Sequence, residues 1–163
     1  MINLYPRRIG RWWQGRRGRA GTAALEFAIC APIMLGLFAV MADVGNLLRA
    51  RVTLAGAVAA ASQFATLAGA SVSAATLQNV VTNVTSTAGL TATSVVTAPA
   101  CYCPSAYPVT LGAATCGSTC PTNSLTASTY VVIRASYTYN PIAPHLSKIV
   151  ATTLTETASV LLQ

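Results

Sequence analysis

The sequence predicts an α+β protein. A long N-terminal helix, transmembrane at first and amphipathic beyond, precedes a small head in which a helix packs on an antiparallel sheet of about three strands. Three observations support this prediction. The run Phe27–Ala42 contains no charged residue, and a helical apolar repeat continues beyond it to about Ala68. Near the C-terminus, Ser128–Tyr139 and Ala151–Leu162 alternate apolar with polar residues, which is typical of half-buried strands.

The composition is unusually poor in charge. Only 8% of the 163 residues are charged and 53% are hydrophobic, whereas charged residues make up about 25% of a typical soluble domain. Apolar surface in this amount requires a membrane, an assembly interface, or both.

The positive charge belongs to the N-terminal tail. Residues 1–21 contain six arginines and no acidic residue, whereas the rest of the chain carries four basic and three acidic side chains. A basic tail can bind nucleic acid, but beside an apolar span it is more simply the signal that keeps the N-terminus in the cytoplasm. We therefore predict no nucleic-acid partner.

The first helix is predicted to cross the membrane once. Phe27–Ala42 would span about 24 Å, slightly less than the roughly 30 Å hydrocarbon core. We therefore expect residues 22–48 to form the transmembrane helix, with Glu26 near one edge and Asp43 towards the other. Pro32 is acceptable there where neighbouring helices satisfy the carbonyl that it frees.

The helix is predicted to continue beyond the membrane, on the side opposite the basic tail, over residues 49–69. Apolar residues recur there at three-, four- and seven-residue steps, flanked by Phe64 and Leu67. The stripe comprises Leu47, Leu54, Val58, Ala61, Ala65 and Ala68. An amphipathic helix of this kind needs a surface to cover its apolar face.

The head is predicted to occupy residues 70–163. Ser73 can cap a second helix over about Ala74–Ala88, and Gly89 can end it. Thr91–Ala98 is a short strand candidate. Residues 99–123 are rich in Pro, Gly, Ser and Thr and are predicted to form a loop.

Four of the five cysteines fall in that loop, at Cys101, Cys103, Cys116 and Cys120. Two disulfides in an oxidising compartment are favoured over a zinc site, because the C-x-C spacing is tighter than the usual zinc knuckle. The spacing does not fix the pairing; we expect nested bonds, Cys103–Cys116 inside Cys101–Cys120. Cys30 is interpreted as a packing residue of the membrane helix.

No motif indicates an enzyme. Phosphate-binding, nucleophile-elbow and zinc-protease signatures are missing from the sequence. His145 is the single histidine and is interpreted as a polar loop residue, and Asp43 and Glu156 are isolated acids. We predict no catalytic residue, no cofactor and no metal.

The N-terminal motif resembles that of a known family. Residues 19–28 read Arg-Ala-Gly-Thr-Ala-Ala-Leu-Glu-Phe-Ala, and they are followed by Pro32, by Asp43 and Gly45 near the outer edge, and by an alanine-rich helix. This arrangement resembles the TadE-like family, pseudopilins of the bacterial tight-adherence (Flp-type) pilus system with a type IV prepilin-like N-terminus. The resemblance covers roughly residues 16–163 and is looser in the C-terminal half.

The resemblance implies that a prepilin peptidase removes the leader 1–21 by cutting between Gly21 and Thr22. Glu26 and Phe27 complete the implied processing site. Glu26 is then expected to pair with the N-terminal amine of a neighbouring subunit, and together with Pro32 it would serve assembly. Thr22 is unusual at the first mature position, so its N-methylation stays open.

The resemblance also implies location and partners. The chain would be a single-pass protein of the bacterial inner membrane, with a cytoplasmic N-terminus and a periplasmic or pilus-associated head. Its partners would be the prepilin peptidase, other pilin or pseudopilin subunits and the tight-adherence secretion machinery.

An alternative function is a single-pass anchor that displays a periplasmic binding module and is not processed. It predicts no cleavage and tolerance of Glu26→Gln. The pilin interpretation predicts cleavage and a requirement for the glutamate.

Overall fold

The computed structural model describes residues 17–105, 110–143, 148 and 151–162, with side chains from Gly21 onward. The chain divides into two compact units, one ending at Ala42 and one beginning at Asp43. The helices are α1 (Arg17–Ala68) and α2 (Ala74–Thr87), with a short 3-10 turn at Gly69–Ser71 between them. The strands are β1 (Thr93–Val96), β2 (Ala100–Pro104), β3 (Leu111–Ala113), β4 (Ser128–Thr138) and β5 (Thr153–Leu161). The predicted α+β class is confirmed, with five strands in place of about three.

The described part of the first unit is helical, and from Phe27 onward it is apolar on all sides. Large side chains there are mostly exposed, as shown by Phe27 at 73%, Leu35 at 68% and Met41 at 67%. A helix that is apolar all round is stable only when lipid or other protein surrounds it. Pro32 lies inside α1. Since proline has no N–H, the Ala28 carbonyl one turn earlier lacks its usual helical donor.

The core of the second unit lies between the two helices and one face of the sheet. The α1 stripe predicted from the sequence faces it: Leu54, Val58, Ala61 and Ala65 are buried, and Leu47 and Ala68 are half-buried. The remaining core side chains come from α2, from the alternate positions of β4 and from the strand ends. They include Leu77, Val81, Val96, Val131, Ile133, Ala135, Val160 and Leu162.

Strand β4 is the centre of the antiparallel sheet. Along one edge it pairs with β5 in an unbroken register from Tyr130↔Leu161 to Thr138↔Thr153. Its other edge is shared end to end by β1 and β2, and β3 pairs with the far side of β2. The break between β1 and β2 includes Pro99, which cannot donate to a ladder.

The prediction for residues 99–123 was wrong in part. β2 and β3 lie inside this predicted loop. They are short, and turn-forming residues surround them, so their alternation is too brief to be recognised in the sequence. The predicted strands at 91–98, 128–139 and 151–162 correspond to β1, β4 and β5. The sequence therefore predicted about three strands because β2 and β3 were not recognised.

Helix α2 is capped at both ends, as the sequence predicted. The Ser73 hydroxyl accepts a hydrogen bond of 3.1 Å from the Thr76 N–H, the usual N-cap contact. At the other end Gly89 adopts φ +76°, and the Leu90 N–H donates to the Thr85 carbonyl at 2.9 Å. This left-handed closing geometry is the reason for glycine at the position.

Candidate functional site

The described structure places the functional candidates in three separate regions: the start of α1, a polar cluster at Asp43, and the disulfide-bonded segment. The first belongs to the N-terminal unit and the other two to the head unit.

At the start of α1, the residues of the implied processing site lie on an exposed helix. Gly21, Thr22, Glu26 and Phe27 are all exposed, and a methyl group built on Gly21 would meet no atom within 4 Å. The helix already includes Arg17, the first described residue, so it extends before the start near Thr22 that the sequence predicted. The Gly21–Thr22 peptide bond is therefore helical, and a protease would have to unwind this turn to reach it.

Thr22 and Glu26 are four residues apart on this helix, so their side chains lie on the same face one turn apart. If the chain began at Thr22, the new amine would also lie about one turn from the carboxylate. That amine would be a positive charge within reach of the carboxylate. The geometry fits a pair with an amine of the same chain or of a neighbour.

The second region is a buried carboxylate with three donors. The Asp43 side chain has no exposed surface. Its Oδ1 accepts hydrogen bonds from the Tyr139 hydroxyl at 2.6 Å and the Ile142 N–H at 2.8 Å. Its Oδ2 accepts one from the Ala143 N–H at 2.8 Å. This network satisfies a group that would be costly to bury alone.

The same network affects Tyr139. The pKa of the phenol is raised above its ordinary value of 10.0. The hydrogen bond to Asp43 is the largest cause, and burial is the second. The proton is held between two oxygens, and loss of it would place two negative charges together.

Sequence reasoning missed this cluster. It treated Asp43 as an isolated acid near the outer edge of a membrane helix. One pattern in the sequence could have indicated a polar site: Tyr139-Asn140-Pro141 at the end of a strand. A turn follows this pattern, and turns expose backbone N–H donors. Nothing in the sequence places that turn beside residue 43, which is 96 positions away from Tyr139.

The third region is the disulfide-bonded segment. The structure contains the bonds Cys101–Cys116 and Cys103–Cys120, so the two predicted disulfides are found but the nested pairing was wrong. All four cysteines of the segment are used, which leaves none of their thiols for the zinc alternative.

The direction of β3 explains the pairing. β3 runs antiparallel to β2, from Leu111 opposite Pro104 to Ala113 opposite Tyr102. The chain therefore leaves β3 at the Cys101 end, where the Ala114 N–H donates to the Cys101 carbonyl at 3.0 Å. Cys116 follows at once, and the turn there brings Cys120 back to Cys103.

Two further candidates, Cys30 and Glu156, lie outside these three regions. Cys30 is a free, exposed cysteine of α1. Within the described residues no group of three or more His, Cys, Asp or Glu side chains could hold a metal ion. His145 lies outside the described residues. Glu156 is half-buried on β5, and its Oε1 lies 3.6 Å from Nε of Arg51.

These features define a class of protein. Within the described residues one helical segment, Gly21–Ser71, which consists of α1 from Gly21 and the 3-10 turn after it, is long and apolar enough to cross a membrane. It leads into a small α+β head with two disulfides. The class is therefore a candidate membrane-anchored protein with a disulfide-bonded α+β head.

Comparison with known proteins narrows the class. The family model described as "TadE-like protein" matches residues 21–63. This segment begins at the last residue of the leader and includes the apolar run and much of the amphipathic part of α1. The predicted resemblance to this family is confirmed over that segment. No curated protein and no solved structure matches the chain.

Proposed function

We propose that this chain is a minor pilin or pseudopilin of a tight-adherence pilus, in which a prepilin peptidase cuts between Gly21 and Thr22. The observation that carries the proposal is the TadE-like match, which begins at Gly21 itself. The exposed Gly21 and the acid at Glu26 support it. The function is assembly of subunits, not catalysis.

The proposed mechanism uses the three parts of the chain separately. The apolar helix, exposed on all sides, holds the precursor in the inner membrane and later packs against other subunits. Glu26 pairs with the new N-terminal amine of a neighbour. This ion pair favours one register between adjacent helices over the others. Because the N-terminus of the chain would stay in the cytoplasm, the head would lie in the periplasm, where disulfides form.

N-terminal sequencing tests the processing step. The full chain is produced with an active prepilin peptidase in the membrane, and we expect the mature protein to begin at Thr22. Gly21→Val should block cleavage, because the bulky side chain obstructs the backbone at the cut. Gly18→Val, a matched change in the same leader, should still be cut. An intact wild-type leader beside a peptidase that cuts a known substrate would refute the proposal.

A second experiment separates assembly from simple anchoring. Glu26→Gln should be inserted and processed but should no longer co-purify with pilin subunits, because the neutral amide cannot form an ion pair with the amine. Glu156→Gln in the head is the control and should co-purify as wild type does. If Glu26→Gln assembled normally and wild type were not cleaved, the unprocessed binding module would be the correct function.

A further inference from the structure

The two disulfides of the head differ in their exposure to solvent. The first bond joins Cys101, which is 7% exposed, to Cys116, which is an exposed residue. The second bond joins the half-buried Cys103 to Cys120, which is 1% exposed. A disulfide exchanges with a thiol only where the attacking sulfur can reach one of its two sulfur atoms. Access therefore favours the first bond, with Cys116 as the residue that is attacked.

Cys116 lies in a turn that a protein can approach. Residues 115–119 are exposed without interruption. The Ser118 N–H donates to the Thr115 carbonyl at 3.1 Å, and Gly117 adopts φ +78°, so Cys116 is one of the two central residues of this turn. The exposed turn leaves room for a partner of protein size as well as for a small thiol.

The other sulfur of the first bond has a hydrogen-bond donor. Sγ of Cys101 lies 3.6 Å from Oγ1 of Thr129, its direct cross-strand partner on β4. Because a disulfide sulfur carries no hydrogen, the hydroxyl is the donor. When attack on Cys116 breaks the bond, the electron pair stays on Cys101, and this hydroxyl stabilises the thiolate that forms. Among the described residues, no side chain donates to either sulfur of the second bond.

Opening of the first bond leaves hydrogen bonds on both sides of Cys116. Before it, the Ala114 N–H donates to the Cys101 carbonyl at 3.0 Å. After it, the Ala127 N–H donates to the Ser118 carbonyl at 2.8 Å. The second disulfide also holds this segment to β2. These contacts keep the two free thiols close together, so oxidation should restore the same pair.

We propose that Cys101–Cys116 is a reversible exchange site for a protein dithiol, whereas the second bond is the structural bond of the head. A thiolate of the dithiol attacks Sγ of Cys116, a mixed disulfide forms, and Cys101 leaves as a thiolate. The second thiol of the partner then attacks the mixed disulfide and releases Cys116. The partner ends as a disulfide, and the two electrons and two protons that it loses are gained by the two cysteines of the head.

The place where the head meets such a partner rests on the proposed function, because that function puts the head in the periplasm. The chemistry at Cys116 does not rest on it. Exposure of Cys116 and the donor at Cys101 are properties of the folded head alone.

Mass spectrometry can identify the sulfur that is attacked. The oxidised full chain in detergent micelles, with Cys30 alkylated beforehand, is treated briefly with reduced glutathione as the probe, and a second alkylating agent stops the exchange. We expect glutathione on Cys116 and the second alkyl group on Cys101. Glutathione mainly on one of the other three cysteines of the head, or on none, would overturn the inference.

Reduction rates test the donor. With dithiothreitol as the dithiol, the first bond should open about tenfold faster than the second, or more. Thr129→Val removes the hydroxyl and should slow opening of the first bond by about fivefold, with no change at the second. Thr129→Ser keeps a hydroxyl and should react as wild type does. Thr138→Val, at the other end of β4, is the matched control and should leave both rates unchanged.

Each other result has a definite meaning. Equal rates for the two disulfides would overturn the inference, and so would an unchanged rate in Thr129→Val. If Thr129→Val fails to form both disulfides, the double variant Cys103→Ser with Cys120→Ser takes its place and should show the fast reaction alone. A chain that exchanges at Cys116 but keeps its leader contradicts the proposed function alone. A processed chain whose disulfides both resist exchange contradicts this inference alone.

Discussion

The Tyr139 hydroxyl donates a 2.6 Å hydrogen bond to Oδ1 of Asp43, and this contact joins the first residue of the head unit to the end of its central strand. The backbone N–H groups of Ile142 and Ala143 complete the environment of the carboxylate. The turn after β4 is thus held against α1 by one side chain. Because the cluster is buried, its hydrogen bonds have little competition from water.

Loss of this contact should destabilise the head. We expect Tyr139→Phe to lower the free energy of unfolding by about 1.5–3 kcal/mol, the usual contribution of a hydrogen bond to a charged group. Asp43→Asn should be more harmful, because its amide turns a donor towards one of three existing donors. Chemical denaturation of the detergent-solubilised chain, followed by circular dichroism, measures both.

The double variant and a control make this test specific. Tyr139→Phe combined with Asp43→Asn should cost less than the sum of the single changes, because the two groups share one interaction. Tyr137→Phe, two positions earlier on β4, should have a smaller effect. Strict additivity of the two single changes would contradict the structure.

The raised pKa of Tyr139 predicts a loss of stability in alkali. A group whose pKa is higher in the folded than in the unfolded chain contributes stability that is complete below the unfolded value, here about 10, and is lost as the pH rises through the folded value. Tyrosinate absorbance should therefore include one late-titrating phenol in wild type. That component should be missing in Tyr139→Phe; its persistence there would assign it to another tyrosine.

The disulfide pairing can be checked directly. Mass spectrometry of proteolytic fragments without reduction should find Cys101 linked to Cys116 and Cys103 linked to Cys120. Replacing either pair by serines should destabilise the head by about 2–4 kcal/mol, as is typical of bonds that close loops of this size. Fragments linking Cys101 to Cys120 would support the nested pairing instead.

Two glycines of the head unit should respond in opposite ways to alanine. Gly89→Ala should destabilise the head by about 1 kcal/mol, because φ +76° is strained for any side chain. Gly56→Ala lies inside α1, where the added methyl group meets no atom within 4 Å, and should stabilise it by about 0.5–1 kcal/mol. Thermal unfolding of the two variants side by side tests the pair, and a stabilising Gly89→Ala would contradict the helix end described here.

Local patterns were sufficient for much of the fold. The 3.6-residue repeat predicted α1 as far as Ala68 and four of the residues that it buries, Leu54, Val58, Ala61 and Ala65, but not Ala50 or Ala57. Ser73 and Gly89 predicted the limits of α2 to within a residue. Alternation predicted β4 and β5, including the faces that they bury. These features could be predicted because each depends on neighbours within a few positions along the chain.

The sequence by itself determined the apolar first helix, the α+β class, the two disulfides as a number and the TadE-like motif around Gly21 and Glu26. The tertiary structure alone decided that Tyr139 contacts Asp43, that Cys101 bonds to Cys116, and that Arg51 of α1 lies beside Glu156 of β5. The physical reason is that these relationships join distant segments. Their geometry follows from the direction in which β3, β4 and β5 cross the sheet, which no local repeat of residues specifies.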